Sequence, residues 1–173
     1  SLIGREIHTR EIKHMMDEMF VYLGAVQGSD GLYSFWPGSR RYVGLTAYVL
    51  EFLIEARKRG FRFDPKLFDR AVYSLKNSLR TDYSHFISGH SYFERVEAMT
   101  ALAKTGYFDD AYAHDIMVRA QSMNLFSQSR VLYAFLVQKQ PYHKAVNLLT
   151  ADLRKSLIFK LRDGQEKYGG LQY

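Results

Sequence analysis

The sequence predicts an all-α fold of antiparallel helical hairpins. Three observations lead there. Apolar residues recur at spacings of three and four along seven segments of the 173-residue chain. Glycines, prolines and N-capping residues fall between those segments. No stretch alternates apolar and polar residues long enough to make a convincing strand, Phe61-Arg62-Phe63 being the nearest approach. Short connectors between amphipathic helices make consecutive helices antiparallel neighbours.

The first helix is expected from about Thr9 to Ala25, with Ile12, Met15, Met16, Met19, Phe20 and Leu23 on one buried face. The methionines read as core filler rather than as a binding groove. A second helix uses Leu45, Tyr48, Val49, Phe52, Leu53 and Ala56 and stops at Gly60, a natural left-handed cap. Asp64 then caps a third helix with Pro65 at its first position, and its inner face is Phe68, Ala71, Val72, Leu75 and Leu79. Ser91-Tyr92-Phe93-Glu94 has the form of a capping box and opens a fourth, which uses Val96, Met99 and Ala103 and ends at Gly106.

Asp109 or Asp110 caps a fifth helix carrying Ala113, Ile116, Met117 and Ala120. Ser127 or Ser129 begins a sixth through Val131, Leu132, Phe135 and Leu136. Pro141 forces a break and opens a seventh, traced through Ala145, Leu149, Leu153, Leu157 and Leu161.

Composition narrows the function classes. Apolar residues make up 47% and aromatic residues 15%, enough for a packed core and too much for a disordered chain. No apolar run reaches the ~18 residues that a membrane-spanning helix needs. The net charge of +6 is spread among carboxylates rather than gathered in a stripe, so no nucleic-acid partner is expected. The absence of cysteine removes disulfides, thiolate metal sites, a cysteine nucleophile and a thioester formed within these residues. Ser1-Leu2-Ile3-Gly4 has no signal-peptide character, and a start without Met suggests an excised or processed segment.

No catalytic constellation emerges. Glu51 with Glu55, and Glu94 with Glu97, lie beside Arg or Lys and read as surface ion pairs. Asp109-Asp110 reads as helix capping rather than half of a diphosphate-binding motif. His85 and His90, and His8 and His14, lack the spacing of a helical zinc site, and no Gly-x-Ser-x-Gly elbow or phosphate-cradling loop occurs. No cofactor, metal or catalytic residue is expected.

The stretch that stands out is Gln27 to Gly38, which holds the only tryptophan and one of three prolines. Gly28 and Gly31 permit tight turning, Asp30 can bond its own backbone, and Pro37 ends what precedes it. The expectation is a helix-to-helix connection with Trp36 anchored in the interior, an aromatic binding platform being the alternative. The candidate residues, structural or binding, are Gln27, Gly31, Tyr33, Phe35, Trp36, Pro37 and Tyr42. Tyr168-Gly169-Gly170-Leu171-Gln172-Tyr173 echoes the aromatic end of this loop and hints at a repeat.

The order Gln27-x-x-Asp30-Gly31-x-x-x-Phe35-Trp36-Pro37-Gly38, then Leu45-Thr46-Ala47-Tyr48 through Ala56 to Gly60, resembles the α/α-toroid, or thioester, domain of bacterial alpha-2-macroglobulin-like proteins. Ser129-Arg130-Val131-Leu132-Tyr133-Ala134-Phe135-Leu136 resembles a later helix of that domain. The resemblance implies that residues 1–173 are one domain, a partial toroid, since fewer helices are visible than a closed ring requires. It implies a non-enzymatic structural and recognition role in a periplasmic or secreted, membrane-anchored protease-trapping inhibitor. In that family a protease cuts an exposed bait segment elsewhere and is enclosed, in many members with acylation by a Cys–Gln thioester whose cysteine is not in this segment.

The implied partners are the other domains of the parent chain and, through it, target proteases. An open toroid edge would also allow self-association. Two other functions stay open: a helical repeat scaffold binding a peptide or protein, and a toroid-fold terpene cyclase or prenyltransferase-like enzyme. The latter two enzymes share the Gln/Gly/Trp loop.

Overall fold

The computed structural model describes residues 2–80, 86, 91–120, 122–138, 143–162 and 165–171. Its architecture is all-α: seven helices carry the described chain, with two small antiparallel ribbons. In order these are α1 (Leu2–Val26), β1 (Tyr33–Ser34), β2 (Arg41–Tyr42), α2 (Val43–Lys58), α3 (Pro65–Arg80), α4 (Ser91–Ala103), α5 (Asp110–Ala120), α6 (Leu125–Val137), α7 (His143–Lys155), β3 (Leu157–Arg162) and β4 (Gln165–Leu171). Two compact units divide the chain, Ser1–Tyr107 and Phe108–Tyr173.

In the first unit α2 packs on both α3 and α4, and α3 on α4. The core beneath the aromatic loop joins Phe20, Leu23 and Val26 of α1 to Val49, Leu53 and Ala56 of α2 and to Leu67 and Ala71 of α3. In the second unit α6 packs on α5 and α7. Phe108 meets Phe135 edge-on there, at 5.5 Å between ring centres.

Local signals explain the helix boundaries. Asp64 accepts the backbone N–H of Lys66 at 3.0 Å, which caps α3 with Pro65 at its first position. Asp109 accepts the N–H of Tyr112 at 3.2 Å at the start of α5. Gly60 and Gly106 take the left-handed conformation, with φ of +83° and +86°, just past α2 and α4. Arg57 and Lys58, and Arg154 and Lys155, sit in the last turns of α2 and α7, where cations complement the dipole.

Several sequence expectations are corrected. Helix α1 begins at Leu2 rather than near Thr9. Met15 and Met19 are exposed, so of the three methionines only Met16 packs against the core. Tyr48 is exposed, because α2 serves partners on two sides: Val43, Ala47, Leu50 and Ile54 line one, and Val49, Leu53 and Ala56 line the other. Tyr48 lies on the strip left over. Leu136 of α6 is likewise exposed.

Helix α6 starts before Ser127, because the Asn124 side chain accepts the Ser127 N–H at 2.9 Å and takes the cap. The seventh helix stops at Lys155, and Leu157 and Leu161 lie in a strand. A spacing of four keeps side chains on one face of a helix and also on one face of a strand, so those leucines could not decide between them. His85, His90 and Pro141 lie outside the described residues.

Glu94 is the largest departure among the charged residues. It is buried, not on the surface, and its Oε1 accepts the Gly44 N–H at 3.0 Å. Residue Tyr42 caps α2 without a side-chain hydrogen bond, so a carboxylate from α4 meets one of the open N–H groups of α2 across the α2–α4 contact. A Cβ on residue 44 would sit 3.1 Å from that carboxylate oxygen, so a side chain there would press on it. Glu51 pairs with Lys104 at 2.8 Å in a half-buried setting, whereas Glu55 pairs with Lys58 at 2.9 Å in the open. Glu94→Ala is expected to cost roughly 1–3 kcal/mol in urea unfolding by leaving the Gly44 N–H without this acceptor, and Glu94→Gln clearly less.

Candidate functional site

The loop between α1 and α2 has a buried floor and an exposed rim. Its floor begins with Gln27, whose Nε2 donates to the carbonyls of Gly31 at 3.1 Å and Leu67 at 3.0 Å. A primary amide has two N–H donors, so one side chain closes the turn on itself and ties it to α3. The Gly28 N–H donates to Leu32 O at 2.8 Å, and Gly31 N–H to Gly28 O at 2.9 Å. Gly31 adopts φ +83°, and a Cβ there would lie 2.5 Å from the Arg70 carbonyl oxygen. Both the conformation and the close approach exclude a side chain.

Asp30 bonds its own turn through Oδ1, which accepts the Leu32 N–H at 3.2 Å. Its Oδ2 accepts Arg41 Nε at 3.0 Å across the turn, and its carbonyl accepts the Ser74 hydroxyl. Arg70 Nη2 donates to Gly28 O at 2.5 Å.

Leu32 and Tyr33 are fully buried. The Tyr33 hydroxyl donates to Leu67 O at 3.1 Å, and its N–H donates to Thr46 Oγ1 at 2.9 Å. Thr46 in turn donates to Tyr42 O at 2.7 Å, so one hydroxyl joins β1 to the first turn of α2. Burial pushes the Tyr33 phenol well above its ordinary range, with nearby Arg70 pulling weakly the other way.

The rim carries the aromatic rings. Phe35 is 56% and Trp36 64% exposed. Phe35 stands 6.1 Å from Trp36 and 5.8 Å from Tyr42, centre to centre, both tilted. The Arg40 guanidinium lies 5.4 Å from the Tyr42 ring centre and also donates to Phe86 O at 3.1 Å. Tyr22 of α1 donates to Phe35 O at 2.5 Å, and the Ser39 N–H to Trp36 O at 3.1 Å. Gly38 turns the tip with φ +76°.

Anchoring of Trp36 in the interior is therefore overturned. The two-residue ribbon pairs Tyr33 with Tyr42 and Ser34 with Arg41, so the inward position goes to Tyr33. The chain then turns through Pro37 and Gly38 beyond the ribbon, which carries Phe35 and Trp36 out to solvent. Of the seven candidate residues, Gln27, Gly31 and Tyr33 build the floor. Phe35, Trp36, Pro37 and Tyr42 form the rim and its turn. Sequence reasoning missed Thr46, Leu67 and Arg70, which hold the loop from α2 and α3; isolated residues on two other helices carry no signal of that contact.

The class this fold and loop define is an all-α chain of packed helices whose first unit displays a braced aromatic loop. Solved structures make the likeness particular. Native alpha-2-macroglobulin from Escherichia coli, in a structure running from its domain MG7 to the C-terminus, matches with a TM-score of 0.71 over 82% of this chain and 24% of that one, at 16% identity. Trypsin-activated alpha-2-macroglobulin from Escherichia coli matches with a TM-score of 0.65 over 76% of this chain and 10% of that one, at 16% identity. Salmonella alpha-2-macroglobulin reacted with methylamine matches at 0.62 over 75% and 9%, at 19% identity.

The chain thus has the fold of a part of bacterial alpha-2-macroglobulins and spans a quarter or less of those chains. No family model matches the sequence, and no curated protein does.

Two outcomes are expected from this geometry. Trp36→Ala is expected to change stability by only about 0.5 kcal/mol, as at other exposed positions. Tyr33→Ala is expected to lose on the order of 3–5 kcal/mol, as for large core aromatics, both read from denaturant midpoints. The second outcome concerns pH. The unfolded chain releases the Tyr33 proton near the ordinary phenol value of about 10, while the folded chain keeps it to higher pH. Stability carried by Tyr33 is therefore complete below pH ~10 and falls as pH rises towards the raised value. Tyr33→Phe, with no proton to lose, is expected to show a shallower alkaline loss in melts between pH 8 and 11.

Proposed function

We propose that the chain is part of the α/α-toroid domain of a bacterial alpha-2-macroglobulin-like protease-trapping inhibitor, with both compact units belonging to one partial toroid. Its role is structural and recognition, not catalysis. The observation that carries this is the shared helical fold over 82% of the chain with the Escherichia coli structure. The trypsin-activated form of the Escherichia coli protein supports proteases as the partner class. Having no cysteine, these residues contribute no thioester thiol. A periplasmic or secreted, membrane-anchored parent goes with the same reading.

In this reading the rim formed by Phe35, Trp36 and Tyr42 docks against another domain of the parent. Its floor is tied to α2 and α3 by hydrogen bonds, so the rings are held in place before contact and little ordering is left to oppose docking. Exposed aromatics on a rigid support are the residue type that dominates buried contacts between proteins.

The parent protein mixed with a broad-specificity protease tests this. Cleavage of a small chromogenic peptide is expected to continue while cleavage of a large protein substrate is lost, the mark of steric enclosure. Equal loss of both, or loss of neither, rejects the trap. Trp36→Ala in the parent is expected to leave folding intact and to weaken enclosure of the large substrate.

A further inference from the structure

A second surface of the first unit carries an opening of about 540 Å³, a size typical of ligand sites. Ile12, Lys13 and Asp17 of α1 form one wall, and Arg59, Phe61 and Arg62 of the α2–α3 connection form the other. Three cations thus face one carboxylate. Lys13, Asp17 and Arg62 make no ion pair with any described residue. The neighbouring Glu18 is occupied by His14 at 3.3 Å. Arg59 has only a loose contact with Glu55 at 3.9 Å, and Lys58 holds the other oxygen of that carboxylate at 2.9 Å.

The backbone leaves the opening clear and reduces its repulsion of anions. Gly60, which also lines it, has no heavy atom within 4 Å of where a Cβ would sit. The last carbonyls of α2 are already used: Glu55 O accepts from Arg59, Ala56 O from Phe61, and Arg57 O from Gly60. Ile12 is 40% exposed and Phe61 half-buried, so each offers apolar surface beside the charges.

The geometry points to a binding site for an acidic peptide segment. One carboxylate of the peptide sits among Lys13, Arg59 and Arg62, and an adjacent apolar side chain rests on Ile12 and Phe61. Asp17 limits how much negative charge the site accepts, which favours a single carboxylate over the dense charge of a nucleic acid. Guanidinium groups at two of the three cationic positions suit the planar carboxylate. The site is separate from the aromatic loop and does not depend on protease trapping.

The test is fluorescence anisotropy of a labelled acetyl-Asp-Leu-Glu-Leu-amide peptide with the 173-residue chain at low salt. Saturable binding is expected. It should weaken about tenfold or more in Arg62→Glu and in Lys13→Glu, and similarly when the peptide carries Asn and Gln in place of its acids. Lys66→Glu makes the same charge change at an exposed position on α3 and is expected to bind as the unmodified chain does. These positions are exposed, so thermal melts of the variants should coincide. No saturable binding, equal binding of the amide peptide, or equal weakening by Lys66→Glu each overturns the proposal.

Discussion

The carbonyl oxygen of Leu67 accepts two hydrogen bonds, from Gln27 Nε2 at 3.0 Å and from the Tyr33 hydroxyl at 3.1 Å. Both donors belong to the loop between α1 and α2, so one carbonyl near the start of α3 holds two of its side chains. The donors lie 40 and 34 residues away along the chain. One atom of α3 thereby ties Gln27, just past the end of α1, and Tyr33, at the start of the ribbon, to the same place.

Close backbone contact makes that junction possible. Gly31 brings the loop against the Arg70 carbonyl, and Ser74 reaches the Asp30 carbonyl from the same helix. Thr46 repeats the device on α2 by accepting from Tyr33 and donating to Tyr42. Small hydroxyl side chains serve here because they meet a backbone group without holding the helix away. With its polar groups satisfied inside, the loop can carry Phe35 and Trp36 outside without relying on their burial for stability.

The helices and most of their ends were legible because the signals are local. Asp64-Pro65, Gly60 and Gly106 act within a turn or two of themselves, and the structure places them where that chemistry requires. The Asp30 turn was legible for the same reason. Trp36 was misread because hydrophobicity ranks residues by type, whereas a ribbon register of two residues chose Tyr33 for the inside. Glu94 was misread because its partner, the Gly44 N–H, lies 50 residues away. Leu157 and Leu161 were placed in a helix although the Asp163-Gly164 dipeptide between the paired residues Arg162 and Gln165 is a hairpin signal.

The sequence by itself determined the helical class, the boundaries at Gly60, Asp64-Pro65, Gly106 and the Asp109-Asp110 pair, and the position of the aromatic loop. Those features follow from backbone conformational preference and from apolar periodicity, both of which act over a few residues. Tertiary structure decided which aromatic ring is buried, which carboxylate caps a distant helix, and which cations gather around one opening. Each of those depends on groups far apart in the chain meeting at a distance of a few ångströms, and only packing of the helices brings them there.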